Sequence, residues 1–157
     1  MCDVTSIFFI KEFEDKELTK VDGDHETGKS VSDVEVLKLI YFKNLDFIPR
    51  KMDILFRNLK RLDMSHNKIE VLNKNDIRGL RKLTSINLSF NRIVRIEGGF
   101  FNHSLMLEKI YLNSNKIKSI DEKLLDKLVH LNYINLSSNE CINEVANNQT
   151  EITQLKE

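Results

Sequence analysis

A chain of 157 residues with 41% apolar and 31% charged side chains can bury one continuous core and is too apolar for a disordered polymer. Its 24 basic and 24 acidic residues cancel, so net charge draws the whole chain toward neither nucleic acid nor a lipid surface. No apolar run approaches the ~18–20 residues of a membrane helix, and membrane insertion is not expected.

The cancellation hides a pattern. Residues 1–35 carry 4 basic and 10 acidic side chains, residues 36–118 carry 17 and 7, and residues 119–157 carry 3 and 7. The middle is basic and both ends are acidic. Ser6 to Ile10 is a short apolar cluster followed by an acidic, lysine-bearing stretch. It lacks the apolar length and small-residue cleavage site of a signal peptide. The expected compartment is therefore cytoplasmic if the chain is complete as given, and extracellular if it is a mature fragment. Two cysteines, Cys2 and Cys141, are too few to define an oxidising compartment.

In chain order, residues 1–33 read as an N-terminal cap. Val4 to Phe13 is rich in β-branched and aromatic residues and suits a strand. The charged run Glu12 to Lys20 reads as a solvated edge or turn, and Gly23 and Gly28 mark a loop. Residues 34–141 form about four to five coils of a periodic array. A degenerate first coil starts near Val34, with Leu37 and Leu39 as its inward strand residues and Leu45 and Ile48 further on. It contains one extra residue, and Phe42 or Asn44 takes the place of an asparagine. Pro49 follows where the chain leaves the core and needs no ladder donor.

Thereafter the step is 24 residues. Leu59, Leu83, Leu107 and Leu131 keep it, as do Leu62, Ile86, Ile110 and Ile134. Met64, Leu88, Leu112 and Leu136 follow, and then Asn67, Asn91, Asn115 and Asn139. Alternation at L-x-L turns two apolar side chains inward on a strand. Asparagine both donates and accepts, so it can serve backbone groups of adjacent coils where the chain turns. Ile69, Leu72, Ile77 and Leu80, with Ile117, Ile120, Leu125 and Leu128, are expected to fill the convex side. Leu80 and Leu128 lie 24 residues either side of Ser104, with Leu105 one place late, which predicts a local shift of the chain. Residues 142–157 read as a tail or incomplete cap, either a short amphipathic helix through Ile142, Val145, Ile152 and Leu155 or a frayed end.

Chemical signals are few. Gly23-Asp24-His25-Glu26-Thr27-Gly28-Lys29-Ser30 matches G-x-x-x-x-G-K-S, the phosphate-binding loop. That motif acts between a buried strand and a helix, whereas here the following residues run into a coil strand. Asp22, Asp24 and Glu26 would also repel a triphosphate. A polar cap loop is the preferred reading, and a nucleotide-binding protein is the remote alternative. The acidic loop lacks the spacing of a calcium site. His66, His103 and His130 lack metal or triad spacing and read as surface residues. No catalytic residue, metal or cofactor is expected, and the chain is not expected to be an enzyme.

Cys2 and Cys141 lie at opposite ends of a stack whose strands are spaced roughly 4.8 Å apart, too far for a bridge. Cys141 reads as a core thiol or as half of a bridge to sequence not present here. Glycosylation sequons at Asn87, Asn102, Asn135 and Asn148 admit a glycoprotein. Asn87 and Asn135 fall on the concave face, where glycans would obstruct binding.

Outward strand positions make two columns, Lys38, Asp63, Asn87, Tyr111, Asn135 and Arg61, Ser85, Lys109, Tyr133. The turns after them present His66 and Phe90. Tyrosine beside basic residues is the composition of interface hot spots, so Lys38, Arg61, Asp63, His66, Phe90, Lys109, Tyr111 and Tyr133 form the candidate partner-binding face. A second candidate is the edge carrying Arg57, Lys60, Arg61, Arg78, Arg81 and Lys82, suited to an acidic partner. Nucleic acid is disfavoured by the acidic ends and by the lack of an aromatic platform beside these basic residues.

The string Leu-x-x-Leu-x-Leu-x-x-Asn-x-Ile, as in Leu83–Ile93 and Leu107–Ile117, resembles the typical 24-residue class of leucine-rich repeats. "VDGDHETGKSVSDVEVLKLIYFKNLDFIP" and "YINLSSNECIN" more narrowly resemble secreted arthropod leucine-rich-repeat proteins. The resemblance implies an α/β right-handed solenoid with a parallel sheet on its concave face and short turns or one-turn helices on its convex face. It also implies an extracellular, non-catalytic recognition module for another protein, with a glycan as the other ligand class. A cytosolic scaffold or adaptor is the alternative.

Overall fold

The computed structural model describes residues 8–14, 16–23, 30–42, 44–140 and 142–155. A hairpin comes first, strands β1 (Phe8–Glu14) and β2 (Glu17–Gly23), paired antiparallel. There follow β3 (Val36–Lys38), the one-turn helix α1 (Met52–Leu55), β4 (Arg61–Asp63), β5 (Val71–Leu72), β6 (Ser85–Asn87) and β7 (Arg95–Ile96). β8 (Lys109–Tyr111), β9 (Tyr133–Asn135), β10 (Val145–Ala146) and helix α2 (Gln149–Leu155) complete the chain.

The main sheet has six strands in the order β10-β9-β8-β6-β4-β3. From β3 to β9 every neighbouring pair is parallel. The register carries the 24-residue step into space: Leu37 opposes Leu62, then Ile86, Ile110 and Ile134. All five are buried, as are Leu39, Met64, Leu88, Leu112 and Leu136 two residues on. Each coil brings the same apolar set to the axis, and removing such a side chain from water contributes about 1.5–3 kcal/mol. A short second sheet, β5 with β7, lies in the other half of the coils, and most of that half is turns, with α1 as the single-turn helix.

The asparagines form a continuous ladder. Asn91 Nδ2 donates to Leu88 O of its own coil at 3.1 Å and to Met64 O of the preceding coil at 3.0 Å. Its Oδ1 accepts the Ile69 amide at 3.1 Å. Asn115 and Asn139 repeat the pattern with Ile93 and Ile117 as amide donors. Asn67 of the second coil accepts at Oδ1 from the amide of Phe42 in the first coil, at 2.9 Å. Phe42 packs against the core in the ladder's place while Asn44 is exposed, which decides between those two. These buried carboxamides satisfy backbone groups that water cannot reach.

Three expectations are corrected. Glu12–Lys20 is more than a turn: its second half opens β2, and only residues 15 and 16 separate the strands. The tail begins as a strand, because β10 adds antiparallel to β9 and occupies its free edge. Only then does α2 form, with Ala146 and Ile152 buried and Val145 exposed. Nor does the chain shift at Ser104. Ser104 itself fills the buried slot shared with Leu80 and Leu128, its hydroxyl donating to Leu80 O at 3.2 Å, and Leu105 points to solvent. The preceding Phe100 and Phe101, edge to face at 4.8 Å, are both buried in the same coil. Cys2, Cys141 and residues 24–29 of the Gly23–Ser30 loop lie outside the described residues.

Candidate binding surface

Outward columns on the main sheet follow from the register. Val36, Arg61, Ser85, Lys109 and Tyr133 form one row across the strands, and Lys38, Asp63, Asn87, Tyr111 and Asn135 the other. Their side chains differ in freedom. Asp63 Oδ1 accepts the Ser65 amide at 3.0 Å. Asn87 Oδ1 accepts both the amide and the hydroxyl of Ser89, at 3.1 and 2.7 Å, and Asn135 does the same with Ser137 at 2.9 and 2.7 Å. These short polar side chains are turned back on their own backbone, as Asx residues are wherever a strand ends in a turn. In the sequons at Asn87 and Asn135 the carboxamide is thus bonded to the sequon's own serine.

Tyr111 stands in the same row without that tie, and its ring lies 5.0 Å from that of Tyr133, tilted by 43°. Lys109 is exposed at the start of the strand that carries Tyr111. The structure therefore brings Lys109, Tyr111 and Tyr133 together on two adjacent strands. Lys38 and Arg61 project from the opposite end of the sheet.

The turn after each strand passes through one residue in the left-handed region: Tyr41 at φ 61°, His66 at 57°, Phe90 at 54°, and Ser114 and Ser138 at 57°. The kink sends the next residue, asparagine from the second coil on, into the core and leaves the turn residue outside. Rings consequently stack along this edge. Tyr41 lies 4.5 Å from His66 at 27°, and His66 lies 4.4 Å from Phe90 with planes 6° apart. His66 is thus held between two rings and half-buried, not an isolated surface histidine. Tyr41 is 72% exposed and Phe90 49%. Tyr41 is absent from the set expected on the sequence; its signal was the 25-residue step to His66 that the extra residue of the first coil imposes.

At the second candidate edge, Lys60 pairs with Glu35 at 2.7 Å and Lys82 donates to Asn58 at 2.7 Å. The Arg57–Arg81 column continues in register as Leu105 and Val129, both exposed and apolar. The basic character of that edge ends after two coils. His103 and His130 are exposed. Ser30, at the end of the Gly23–Ser30 motif, has its amide and hydroxyl bonded to Asp33, at 2.8 and 3.0 Å. It opens a three-residue 3-10 turn, Val31–Asp33, ahead of β3. Among the described residues no group of three or more His, Cys, Asp and Glu is placed to hold a metal ion, and no helix is long and apolar enough to cross a membrane.

A solenoid of 24-residue coils with an asparagine ladder and a parallel inner sheet is the architecture of leucine-rich-repeat interaction modules. The leucine rich repeat family model matches residues 44–93 and 81–140, more than half of the chain. The chain belongs to the leucine rich repeat family. Among curated proteins it is similar to human lumican, 27% identical over 136 residues, with 72% of this chain and 39% of lumican covered. Rat lumican is likewise 27% identical over 154 residues, covering 83% of this chain and 44% of its own length. The chain thus spans less than half the length of these relatives.

Among solved structures, the Toll–Spatzle complex of Drosophila contains a chain that superposes with a TM-score of 0.66 at 25% identity, over 70% of this chain and 14% of that one. The TLR13–ssRNA13 complex matches with a TM-score of 0.54 at 32% identity, over 57% and 13%. The leucine-rich repeat domain of APL1B shares the fold, with a TM-score of 0.64 at 22% identity, over 70% and 33%.

Proposed function

We propose that this chain is a non-catalytic recognition module that binds another protein through the concave face of its sheet. The carrying observation is the Tyr111–Tyr133 pair, 5.0 Å apart beside the exposed Lys109. Paired aromatic rings next to a cation on a rigid sheet offer large contact area at little entropic cost. Lys38, Arg61, Asp63, His66 and Phe90 extend the same surface, with Asp63 holding a turn as well as facing outward. The protein complex of the Toll relative supports this class of partner, and a glycan is the second ligand class.

The same reading makes the module extracellular, on the resemblance to secreted arthropod leucine-rich-repeat proteins; a cytosolic adaptor is the alternative. A signal peptide in the upstream coding sequence favours the first. Reaction of both Cys2 and Cys141 with a maleimide in the native protein favours the second. A nucleotide function at Gly23–Ser30 would show as nucleotide affinity abolished by Lys29→Ala, and a null titration removes it.

Cross-linking followed by mass spectrometry tests the concave face directly. Tyr111→Ala/Tyr133→Ala is expected to lower partner recovery by at least about tenfold, since hot-spot aromatics each contribute about 2 kcal/mol. Equal recovery from that variant would rule out this face.

A further inference from the structure

The ring stack along the turn edge stops one coil short of its natural continuation. Tyr41, His66 and Phe90 repeat at 4.5 and 4.4 Å, so the next ring would stand over the Ser114 position. Serine occupies that place, and serine again at Ser138 in the coil after it. Among the described residues Phe90 makes no ring contact besides His66, and it is 49% exposed. Its outer face is bare and bordered by two small hydroxyl residues.

Beside this step runs a second column. Lys68, Arg92 and Lys116 each follow a turn residue by two positions, beyond the inward-pointing asparagine. Their amides repeat one bond, to Leu45 O, Ile69 O and Ile93 O, all at 2.9 Å. Arg92 and Lys116 are exposed, and neither side chain makes an ion pair or hydrogen bond among the described residues. In the next coil the column changes sign at Glu140, which pairs with Lys118 at 3.5 Å. The local cations therefore flank the bare ring face and nothing beyond it.

We infer that the Phe90 face over Ser114 is a socket for a single aromatic side chain from an acidic segment of a partner protein. This rests on the reading of the chain as a protein-binding module and adds the chemistry of the partner. An inserted ring would extend the stack by one rung and shed the water over Phe90, while flanking carboxylates meet Arg92 and Lys116. A single-stranded nucleic acid fits less well. Base-stacking platforms offer one face per aromatic residue to successive bases, whereas here His66 spends both faces on its neighbours and the two end rings, Tyr41 and Phe90, open in opposite directions along the stack.

The test uses the full chain and three probes: the peptide acetyl-Asp-Glu-Phe-Glu-Asp-amide, its Phe→Ala counterpart, and decauridylate. Binding is followed by NMR at low salt. The phenylalanine peptide is expected to bind about tenfold tighter than the alanine peptide and to move the Ser114 β-protons upfield through its ring current. Phe90→Ala is expected to erase that difference while the chain still unfolds in a cooperative transition, the lost stacking on His66 lowering the melting temperature only slightly. Ser114→Phe is accommodated by the backbone, because Phe90 already adopts φ 54° where Ser114 has 57°. It moves the bare face next to Glu140 and is expected to weaken the acidic peptide and shift its footprint to Ser138.

Binding that persists in Tyr111→Ala/Tyr133→Ala separates this socket from the sheet face, so either can fail alone. Equal affinity for the two peptides, or no binding of either, overturns the socket. So does tighter binding of decauridylate with the same footprint, or Ser114 shifts that follow protein concentration without peptide, which would mean a second copy.

Discussion

Asn115 Oδ1 accepts the Ile93 amide at 3.0 Å, bonding one coil to the next at a point where neither has a strand. The same side chain donates to Leu88 O and Leu112 O at 3.0 Å. Asn115→Ala leaves the buried Ile93 amide without a partner, while Leu88 O and Leu112 O keep the bonds from Asn91 and Asn139, at a cost of about 1–3 kcal/mol. Urea unfolding measures it. Asn139→Ala removes the same bonds at a half-buried site, where water can replace them, and is expected to cost less than Asn115→Ala. The reverse order would show that the ladder is not what holds the coils.

The third coil balances a large side chain with a small one. Phe101 occupies the slot that Ile77 and Leu125 take elsewhere, and Ser104 the slot of Leu80 and Leu128; both are fully buried. Ser104→Leu restores the apparent consensus yet is expected to destabilise by about 1–3 kcal/mol through overpacking. Adding Phe101→Leu is expected to recover part of that loss, read as a positive coupling in a double-mutant cycle. Strict additivity would refute the volume exchange.

Gly79 turns with φ 92°, and a β-carbon there would lie 2.6 Å from Asp53 Cβ at the edge of α1. Gly79→Ala therefore combines left-handed strain with a clash against the preceding coil. A loss of about 2 kcal/mol or more is expected in thermal or urea unfolding. Asp53→Ala, which clears the outer atoms of that side chain but keeps its β-carbon, is expected to return only part of the clash component.

Asp76 shows how burial acts on one acid. Desolvation is the largest influence and raises its pKa above the ordinary 3.8, against bonds from the amide and carboxamide of Asn73 and with Glu97 adding to the rise. The folded state thus binds this proton more tightly than the unfolded one. Between 3.8 and the raised value, folding loses stability as pH increases. Asp76→Asn can still accept both Asn73 bonds and carries no charge. Its melting temperature is expected to exceed that of the parent at pH 7, with the gap closing as pH falls toward 3.8. A gap independent of pH would assign the effect to packing instead.

Much of this was legible along the chain because a solenoid makes each contact a repeat of the last. A residue 24 positions away is a spatial neighbour, so the columns containing Tyr111 and Tyr133 follow from the sequence period alone. Departures from the period were harder. Ser104 looked like a slip because Leu105 is the better hydrophobe, but moving one residue would break the bonds from the Ser104 amide to Phe101 O and from its hydroxyl to Leu80 O. Tyr41 falls outside the 24-residue columns because the first coil is one residue longer, and its ring meets His66 only after that residue is absorbed in the turn.

By itself the amino-acid order determined the coil length, the inward apolar set and the asparagine ladder, since an unburied leucine or an unpaired buried amide is costly wherever it occurs. Tertiary structure alone decided that the tail closes the sheet as an antiparallel strand and that Tyr41, His66 and Phe90 fuse into one stack ending at Ser114. Those outcomes depend on which free edges and open faces remain once the coils have packed, and no local pattern carries that information.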